Sequence, residues 1–245
     1  MIIKSPEHTC LPDLKVLWKE AFGDEDVFIN TFFSVGFSPD RCRCIQDSGL
    51  VAALYWFDCP WEGRKIAYIY GVATQKSRRG QGLCATLMED THRHLQSLGY
   101  TGAVLVPATS CLQNYYRRFG YEDFGGIAQT DVFPTKPLPI RQLTKEEYAA
   151  LRQQFLPEGG VGLAGDMLEF FSKLAKFYAG DGFLFAATEE NIPELLGHCP
   201  DIGGIAASLG AERLVVRTPG DTPFAMHLPL TEEREFPVYF GIALD

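Results

Sequence analysis

Residues 68–84 have the sequence Tyr68-Ile69-Tyr70-Gly71-Val72-Ala73-Thr74-Gln75-Lys76-Ser77-Arg78-Arg79-Gly80-Gln81-Gly82-Leu83-Cys84, and this stretch decides the fold. It predicts a strand, a basic turn and the start of a helix. Glycines at a helix start let backbone N–H groups approach an anion without interference from a Cβ atom. The helix N-terminus adds about half a positive charge, and the turn contributes three basic side chains. The stretch therefore predicts a binding site for a diphosphate.

Before this stretch, apolar runs and turn residues predict a meander of three antiparallel strands at residues 41–46, 50–58 and 65–74. A short strand is expected at Ile2–Lys4. Two amphipathic helices are expected at Leu11–Phe22 and at residues 26–37, the first ending at Gly23.

After the stretch, apolar residues at three- and four-residue spacing predict a helix over residues 82–98 that stops at Gly99. Residues 101–107 are an apolar run without alternation, which is typical of a buried strand. Ser110 is expected to cap a short helix that ends at Gly120, and residues 121–132 are expected to be extended.

Three other interpretations of the glycine turn are weaker. The glycines could simply form a tight bend in a solvated basic turn. The spacing Gly80-x-Gly82-x-x-Ala85 formally fits a dinucleotide-binding fingerprint, but residues 101–107 hold no Asp or Glu for the ribose, and the preceding strands are expected to be antiparallel. A nucleotide P-loop is excluded, because neither glycine begins a GxxxxGK[ST] match.

Arg79-Gly80-Gln81-Gly82-Leu83-Cys84 resembles the pyrophosphate-binding motif of the GNAT acetyltransferase superfamily, Arg/Gln-x-x-Gly-x-Gly/Ala, with Cys84 as a small departure at the last position. The segment Asn114-Tyr115-Tyr116-Arg117-Arg118-Phe119-Gly120-Tyr121 is similar to the family's ending of the next helix. The resemblance covers about residues 1–135. It implies the GNAT fold, an α+β arrangement with a mixed central sheet flanked by helices.

The resemblance also implies acetyl-coenzyme A as co-substrate. The backbone of Val72, Ala73 and Thr74 is expected to pair with the pantetheine arm. The diphosphate is expected to lie on Arg79, Gly80, Gln81, Gly82, Leu83 and Cys84. Tyr116 falls where many family members place a general acid. A phenol with a pKa near 10 is a matched donor for a thiolate whose acid has a pKa near 8.5. Tyr115 is expected to pack instead.

Residues 134–139 contain three prolines and are the best candidate for a linker. Beyond them, a strand at 140–143, a helix capped by Thr144 and Glu147, a helix at 166–178 and a strand at 183–188 repeat the earlier plan. This order predicts a duplicated domain, although chance likeness of two α/β segments is an alternative. The predicted domains are residues 1–135, catalytic, and 140–245, a smaller degenerate GNAT-like lobe without a second cofactor site.

Val104–Pro107 together with Tyr116–Tyr121 resembles, over this short stretch, a two-lobed subgroup similar to aminoglycoside acetyltransferases of the enhanced-intracellular-survival type. That resemblance implies that the chain terminus, Asp245, reaches the active site and helps bind or deprotonate the amine, while a final strand at 238–245 is the plainer interpretation. Thr109 stands where many family members carry an Asn. Other candidates for a base are acidic residues in the region of the acceptor pocket, where capping or surface roles are the alternative: Glu20, Asp24, Glu25 and Asp26.

Composition limits the class of protein. A net charge of −9 argues against a nucleic-acid surface, and no apolar run approaches the roughly 20 residues that span a bilayer. The first residues lack the pattern of a signal peptide, so a cytoplasmic location is expected. Seven scattered cysteines predict no disulfide framework. Cys42 and Cys44 could face one metal, but no second pair completes four ligands, so no metal is expected.

The sequence thus predicts an N-acetyltransferase that transfers acetyl directly from acetyl-coenzyme A to a primary amine of an unidentified small molecule or peptide. Homo-oligomerisation through the second lobe is possible. A covalent route through Cys84 or Cys111 is conceivable, but small size explains Cys84 more simply. The alternative from another class is a non-catalytic acyl-coenzyme A sensor.

Overall fold

The computed structural model of the chain describes residues 1–232 and 234–244. The α-helices are α1 (Leu11–Phe22), α2 (Asp26–Thr31), α3 (Leu83–Ser97), α4 (Ser110–Arg117), α5 (Lys145–Phe155), α6 (Gly165–Leu174) and α7 (Ile202–Leu209). The strands are β1 (Ile2–Lys4), β2 (Cys42–Gln46), β3 (Leu50–Trp61), β4 (Arg64–Thr74), β5 (Gly102–Leu105), β6 (Glu122–Val132), β7 (Arg141–Leu143), β8 (Lys176–Gly180), β9 (Phe183–Ala187), β10 (Asn191–Ile192), β11 (Glu194–Gly197), β12 (Leu214–Pro219) and β13 (Thr222–Pro229).

A nine-stranded mixed sheet forms the centre of the molecule, in the order β1-β2-β3-β4-β5-β13-β6-β12-β10. The predicted meander is confirmed, since β2, β3 and β4 pair antiparallel in sequence. The late strand β13 lies between β5 and β6 and pairs antiparallel with both. Strands from the two halves of the chain therefore share one sheet. The division into folding units at residues 135 and 140 stays a prediction.

Helices cover both faces of this sheet because its strands carry apolar side chains on both sides. Along β4, Ile66 and Tyr68 belong to the core that contains Leu14, Leu17 and Trp18 of α1. Ala67 and Ile69 belong to the core of α3, whose buried stripe is Leu83, Leu87, Met88, Thr91 and Leu95. The expected α+β class, with a mixed sheet flanked by helices, is confirmed.

A second sheet of four short strands, in the order β11-β9-β8-β7, is antiparallel throughout. Its edge strand β11 follows β10 after a single residue, Pro193. β10 pairs with β12 in the large sheet, and β11 pairs with β9 in the small one. Proline has no N–H to donate, so it suits the point where the chain leaves one sheet for the other.

Four details differ from the sequence prediction. The helix expected over 26–37 is α2 followed by a π-helical turn at Phe32–Gly36. The helix expected over 166–178 ends at Leu174, because pairing with β7 and β9 draws the next residues into β8. Thr109, rather than Ser110, caps α4, since its side chain accepts from the backbone N–H of Leu112.

The fourth difference concerns residues 238–244, which form no strand. Their main chain instead bonds to a loop, with the Val238 N–H donating to the Gly159 carbonyl (2.9 Å) and the Val161 N–H donating to the Tyr239 carbonyl (2.8 Å). The final strand that the sequence analysis gave as the plainer interpretation is therefore absent over residues 238–244. In the part of the chain that the structure describes, no helix has the length and apolar character needed to cross a bilayer.

Candidate active site

The parallel strands β4 and β5 lie in the middle of the sheet and are paired over only part of their length. They pair only from Ile66 opposite Gly102 to Tyr68 opposite Val104. Further along β4, Ala73 and Thr74 still pair with β3 on the other side. Beyond Tyr68, the edge of β4 that faces β5 therefore has no paired strand among the described residues. We call this the open edge of β4. An open strand edge can accept an extended ligand through main-chain hydrogen bonds.

Gly71 bends β4 at the start of this open edge. Its φ is +58°, and a Cβ there would lie 2.8 Å from the Trp18 ring and 3.0 Å from Tyr55. The register between β3 and β4 shifts at the same level, which marks a β-bulge. The sequence analysis overlooked Gly71, although a glycine inside a strand pattern is a signal for a bulge.

Two residues of the turn between β4 and α3 have a left-handed backbone conformation, which glycine adopts most easily. Gly80 has φ of +76° and Gly82 has φ of +78°, and no atom lies within 4 Å of the Cβ position of either. Both residues are exposed. Gly82 caps α3 without a side chain, so the first N–H groups of the helix point outward with no side-chain acceptor over them. This is the geometry of an anion site at a helix N-terminus.

The three basic side chains of the turn have different surroundings. Arg78 donates to the carboxylate of Asp47 (2.8 Å) and to the side-chain oxygen of Gln81 (3.0 Å). Arg79 is exposed, and its Nε donates to the carbonyl of Thr74 (3.1 Å), which fixes the base of its side chain against the end of β4. Lys76 is also exposed. Arg79 and Lys76 are therefore the cations best placed to meet a phosphate.

Tyr116 lies on α4 beside the start of α3. It is 8% exposed, and burial followed by the nearby Cys84 thiol raises its pKa above the ordinary value. Its ring packs edge-on against Tyr115 and Tyr121, with centroids 5.6 Å and 6.0 Å away. The Tyr121 hydroxyl in turn lies 3.0 Å from the Nε2 atom of His92. A phenol with a raised pKa keeps its proton at neutral pH.

Tyr115 lies closer to the turn than the sequence analysis expected. The side chains of Tyr115 and Cys84 both pack against the core of α3, and burial, followed by the influence of the Cys84 thiol, raises the pKa of Tyr115. Burial also raises the pKa of Cys84, with Tyr115 as a smaller opposing influence. Cys84 therefore stays a thiol at neutral pH, which disfavours a covalent route through it, because the nucleophile is the thiolate.

The predicted site residues fall into one connected region with one exception. Val72, Ala73 and Thr74 form the open edge of β4. The turn residues Arg79, Gly80, Gln81, Gly82, Leu83 and Cys84 follow directly, with Tyr116 facing Cys84. Asp245 lies outside the described residues. Among residues 1–232 and 234–244, no cluster of three or more His, Cys, Asp or Glu side chains could hold a metal ion.

The acidic residues proposed as bases near α1 and α2 are partly engaged elsewhere. Asp24 accepts from the indole N–H of Trp18 (2.7 Å), and Asp26 accepts from Lys19 (2.9 Å). Glu25 is the N-cap residue of α2. The opposite side of β4 holds a contact that sequence reasoning missed, in which the Tyr70 hydroxyl donates to the carbonyl of Leu244 (2.5 Å). No local sequence signal joins residues so far apart.

Residues 3–124 match the sequence family described as an acetyltransferase (GNAT) domain. No curated protein matches the chain in sequence. In structure the chain is similar to a GCN5-related N-acetyltransferase from Anabaena variabilis, with a TM-score of 0.67 and 12% identity, covering 94% of this chain and 73% of that one.

Two further solved structures are similar over most of this chain. A putative acetyltransferase from Pyrococcus horikoshii has a TM-score of 0.66 and 16% identity, covering 99% of this chain and 94% of that one. Eis1 from Mycobacterium abscessus has a TM-score of 0.65 and 14% identity, covering 91% of this chain and 66% of that one. At such low identities the likeness concerns the fold, and it extends over both halves of the chain.

Proposed function

The chain belongs to the GNAT acetyltransferase family through residues 3–124, and we propose that it transfers acetyl from acetyl-coenzyme A directly to a primary amine. The observation that carries this proposal is the open edge of β4 leading into the exposed glycine turn. A strand edge followed by a helix N-terminus suits a ligand that is extended at one end and doubly charged at the other.

Each part of this region has a role in binding the donor. Main-chain groups of Val72, Ala73 and Thr74 pair with the pantetheine arm. The N–H groups from Gly80 to Cys84 hold the diphosphate, and Arg79 adds a guanidinium charge, which forms strong charge-assisted hydrogen bonds with phosphate oxygens. Cys84, where the family motif has Gly or Ala, is partly buried and packs with Tyr115 against the core of α3.

Tyr116 is the general acid in this proposal. Acetyl-coenzyme A supplies the activated thioester that the amine attacks. Tyr116 donates its phenolic proton to the sulfur that departs. The phenol is protonated at neutral pH, and burial, which raises its pKa, makes the proton harder to give up than that of an exposed tyrosine.

The amine must lose a proton before or during attack. An amine with a pKa near 10.4 is only about 0.04% neutral at pH 7, and selecting that form costs about 4.6 kcal/mol. A base or a water relay is therefore needed. Asp245 remains the predicted base, with Glu20 of α1 as an alternative.

Titration calorimetry with acetyl-coenzyme A and a thiol-release assay with a panel of amines test the proposal. We expect binding by the unmodified protein and at least a hundredfold weaker binding after combined Arg79→Ala and Gly82→Val substitution, because this removes a guanidinium and distorts the turn. Lys136→Ala, in the exposed 134–139 segment, is the control. Unchanged binding in the double variant would refute the proposed site, and binding without amine-dependent thiol release would favour a sensor.

A further inference from the structure

The tip of the β2–β3 hairpin contacts the basic turn before α3. Its backbone is tightly closed, since the Asp47 N–H donates to the Gly49 carbonyl (2.8 Å) and Ser48 has a left-handed φ of +56°. A residue other than glycine keeps that conformation only where the surrounding structure determines it. Asp47 is therefore carried by a hairpin tip with one defined backbone conformation.

Asp47 forms an ion pair with Arg78 of the turn. A terminal nitrogen of Arg78 donates to one carboxylate oxygen of Asp47 (2.8 Å), and both side chains are half-buried. The α-amino group of Met1 lies 3.4 Å from the other oxygen. The hydrogen bond from Arg78 lowers the pKa of Asp47, so the carboxylate is charged at neutral pH. The guanidinium of Arg78 is thus anchored on the hairpin.

The anchored guanidinium also holds the middle of the glycine turn. Its Nε atom donates to the side-chain oxygen of Gln81 (3.0 Å), the residue between Gly80 and Gly82. These two glycines have left-handed φ angles and no atom within 4 Å of their Cβ positions, so packing restricts them little. Glycine also loses more conformational freedom on ordering than any other residue. The hydrogen bond to Gln81 therefore acts on the part of the turn with the greatest intrinsic freedom.

Main-chain hydrogen bonds hold the two ends of the turn. At its start, the Gln75 N–H donates to a carbonyl of β3 (2.9 Å). At its end, the Thr86 N–H donates to the Gly82 carbonyl (3.0 Å), in the first turn of α3. Arg78 supplies a further link between these ends, and Asp47 fixes Arg78. The conformation of the turn thus depends on a carboxylate that is 31 residues away from Arg78 in the chain.

We propose that Asp47 is a positioning residue for donor binding: through Arg78 and Gln81 it holds the glycine turn in the conformation that receives the diphosphate. This inference rests on the proposed function. A preorganised turn binds its ligand more tightly, because less conformational entropy is lost on binding. The charge of Asp47 by itself acts in the opposite direction, since a carboxylate near a diphosphate repels it. The two consequences of removing Asp47 therefore differ in sign.

Calorimetry with acetyl-coenzyme A on the full-length protein uses this difference. Asp47→Ala removes the partner of Arg78, and we expect the Kd to rise about fivefold, the upper range for a partly exposed ion pair. Asp47→Asn removes the same charge but keeps an acceptor for Arg78, so its Kd should rise less. Glu89→Ala, on the exposed face of α3, removes one negative charge outside this contact and is the matched control. Its Kd should stay the same or fall.

Backbone amide NMR relaxation of the unliganded protein tests the positioning directly. In Asp47→Ala we expect the order parameter of Gln81 to fall from the rigid range, about 0.85, towards the flexible range, below about 0.6. Residues Gly102–Leu105 of β5 should keep their values. A loss of order throughout the protein would indicate a general structural role and would overturn the inference.

An unchanged or lower Kd in Asp47→Ala, an unchanged order parameter at Gln81, or the same weakening in Glu89→Ala would each overturn the inference. If the unmodified protein does not bind acetyl-coenzyme A, the proposed function itself fails. The relaxation measurement then still decides whether Asp47 orders the turn: greater mobility of Gln81 in Asp47→Ala supports this, and unchanged mobility refutes it.

Discussion

The starts of α3 and α7 occupy equivalent places in the two halves of the chain but differ in what surrounds them. α3 lies between β4 and β5, which pair parallel, and a glycine with positive φ follows the helix. α7 lies between β11 and β12 and is also followed by such a glycine, and β12 pairs parallel with β10, the strand before β11. Those glycines are Gly99 (φ 79°) and Gly210 (φ 71°). The shared path accords with the predicted duplication.

Two glycines lie at or just before the start of each helix. At α3 they provide an unusual backbone conformation, and at α7 they leave room for a packed neighbour. Gly80 and Gly82 have positive φ and open space around them. At α7, a Cβ on Gly203 would lie 2.7 Å from the Phe133 carbonyl, and one on Gly204 would lie 2.5 Å from the Leu138 side chain. One helix start is therefore open to a ligand, and the other is closed by residues 133–138. Glycine content alone does not reveal which is which.

The charge at the two helix starts differs in the same sense. The turn before α3 carries Lys76, Arg78 and Arg79, whereas α7 is capped by Asp201, whose carboxylate accepts from Thr135 (2.7 Å). The helix dipole stabilises an acidic residue at this point, but the same residue repels an anionic ligand. The comparison shows an open, basic helix start in the first half, where we propose the ligand site, and a helix start closed by packing in the second.

The largest expected effect is a loss of unfolding free energy when a buried ion pair of the second half is broken. Glu194→Ala leaves Arg152 charged and buried, and such losses cost about 3–5 kcal/mol of unfolding free energy. Urea unfolding measures this, with Glu190→Ala as an exposed control that should change little. A loss below about 1 kcal/mol would contradict the structural role of the pair. The folded fraction should still bind acetyl-coenzyme A normally.

The next effect is on catalysis in the first half. Tyr116→Phe keeps the packed ring but removes the acid, so we expect kcat to fall about a hundredfold, equivalent to about 2.7 kcal/mol. Tyr178→Phe, in β8 of the second half, should leave kcat unchanged. Because burial raises the pKa of Tyr116, the unmodified protein should lose activity through this group only above about pH 10. A variant with normal kcat would eliminate Tyr116 as the acid.

The smallest effect separates the two pairs of glycines directly. Gly203→Ala should lower stability by about 1–3 kcal/mol through overpacking, with the Kd for acetyl-coenzyme A unchanged. Gly82→Ala should cost about 1–2 kcal/mol because alanine disfavours a left-handed conformation, and should also weaken binding about tenfold. Thermal unfolding of both variants measures the loss of stability, and calorimetry measures the Kd for acetyl-coenzyme A. Equal weakening of binding by both substitutions would contradict the assignment of ligand binding to the start of α3 alone.

The sequence predicted those parts of the fold that depend on local pattern. The bounds of α1 and the capping box of Thr144 and Glu147 were confirmed, because apolar spacing and capping chemistry act within one or two turns. The helix expected over 166–178 was wrong at its end, where pairing with distant strands outweighs helix propensity. The place of β13 between β5 and β6 has no local signal at all.

For the candidate site, the sequence indicated the glycine turn and the tyrosine because both belong to short motifs. It did not indicate the open edge of β4, which depends on where β5 separates from it, or the contact of Tyr70 with Leu244. Nor did it indicate the pairing of Arg152 with Glu194, which joins residues of different elements in the interior. The proposed donor site is thus built from contiguous residues, whereas these other contacts join residues that are far apart in the chain.

The insertion of β13 between β5 and β6 also governs how the protein can be made and divided. During synthesis, the central sheet remains split until residues 222–229 leave the ribosome and fill the gap. A fragment that stops near residue 135 would keep two bare strand edges facing each other across a missing strand, and exposed edges of that kind favour aggregation. The first half, although it carries the proposed donor site, thus completes its sheet only with a strand from the second.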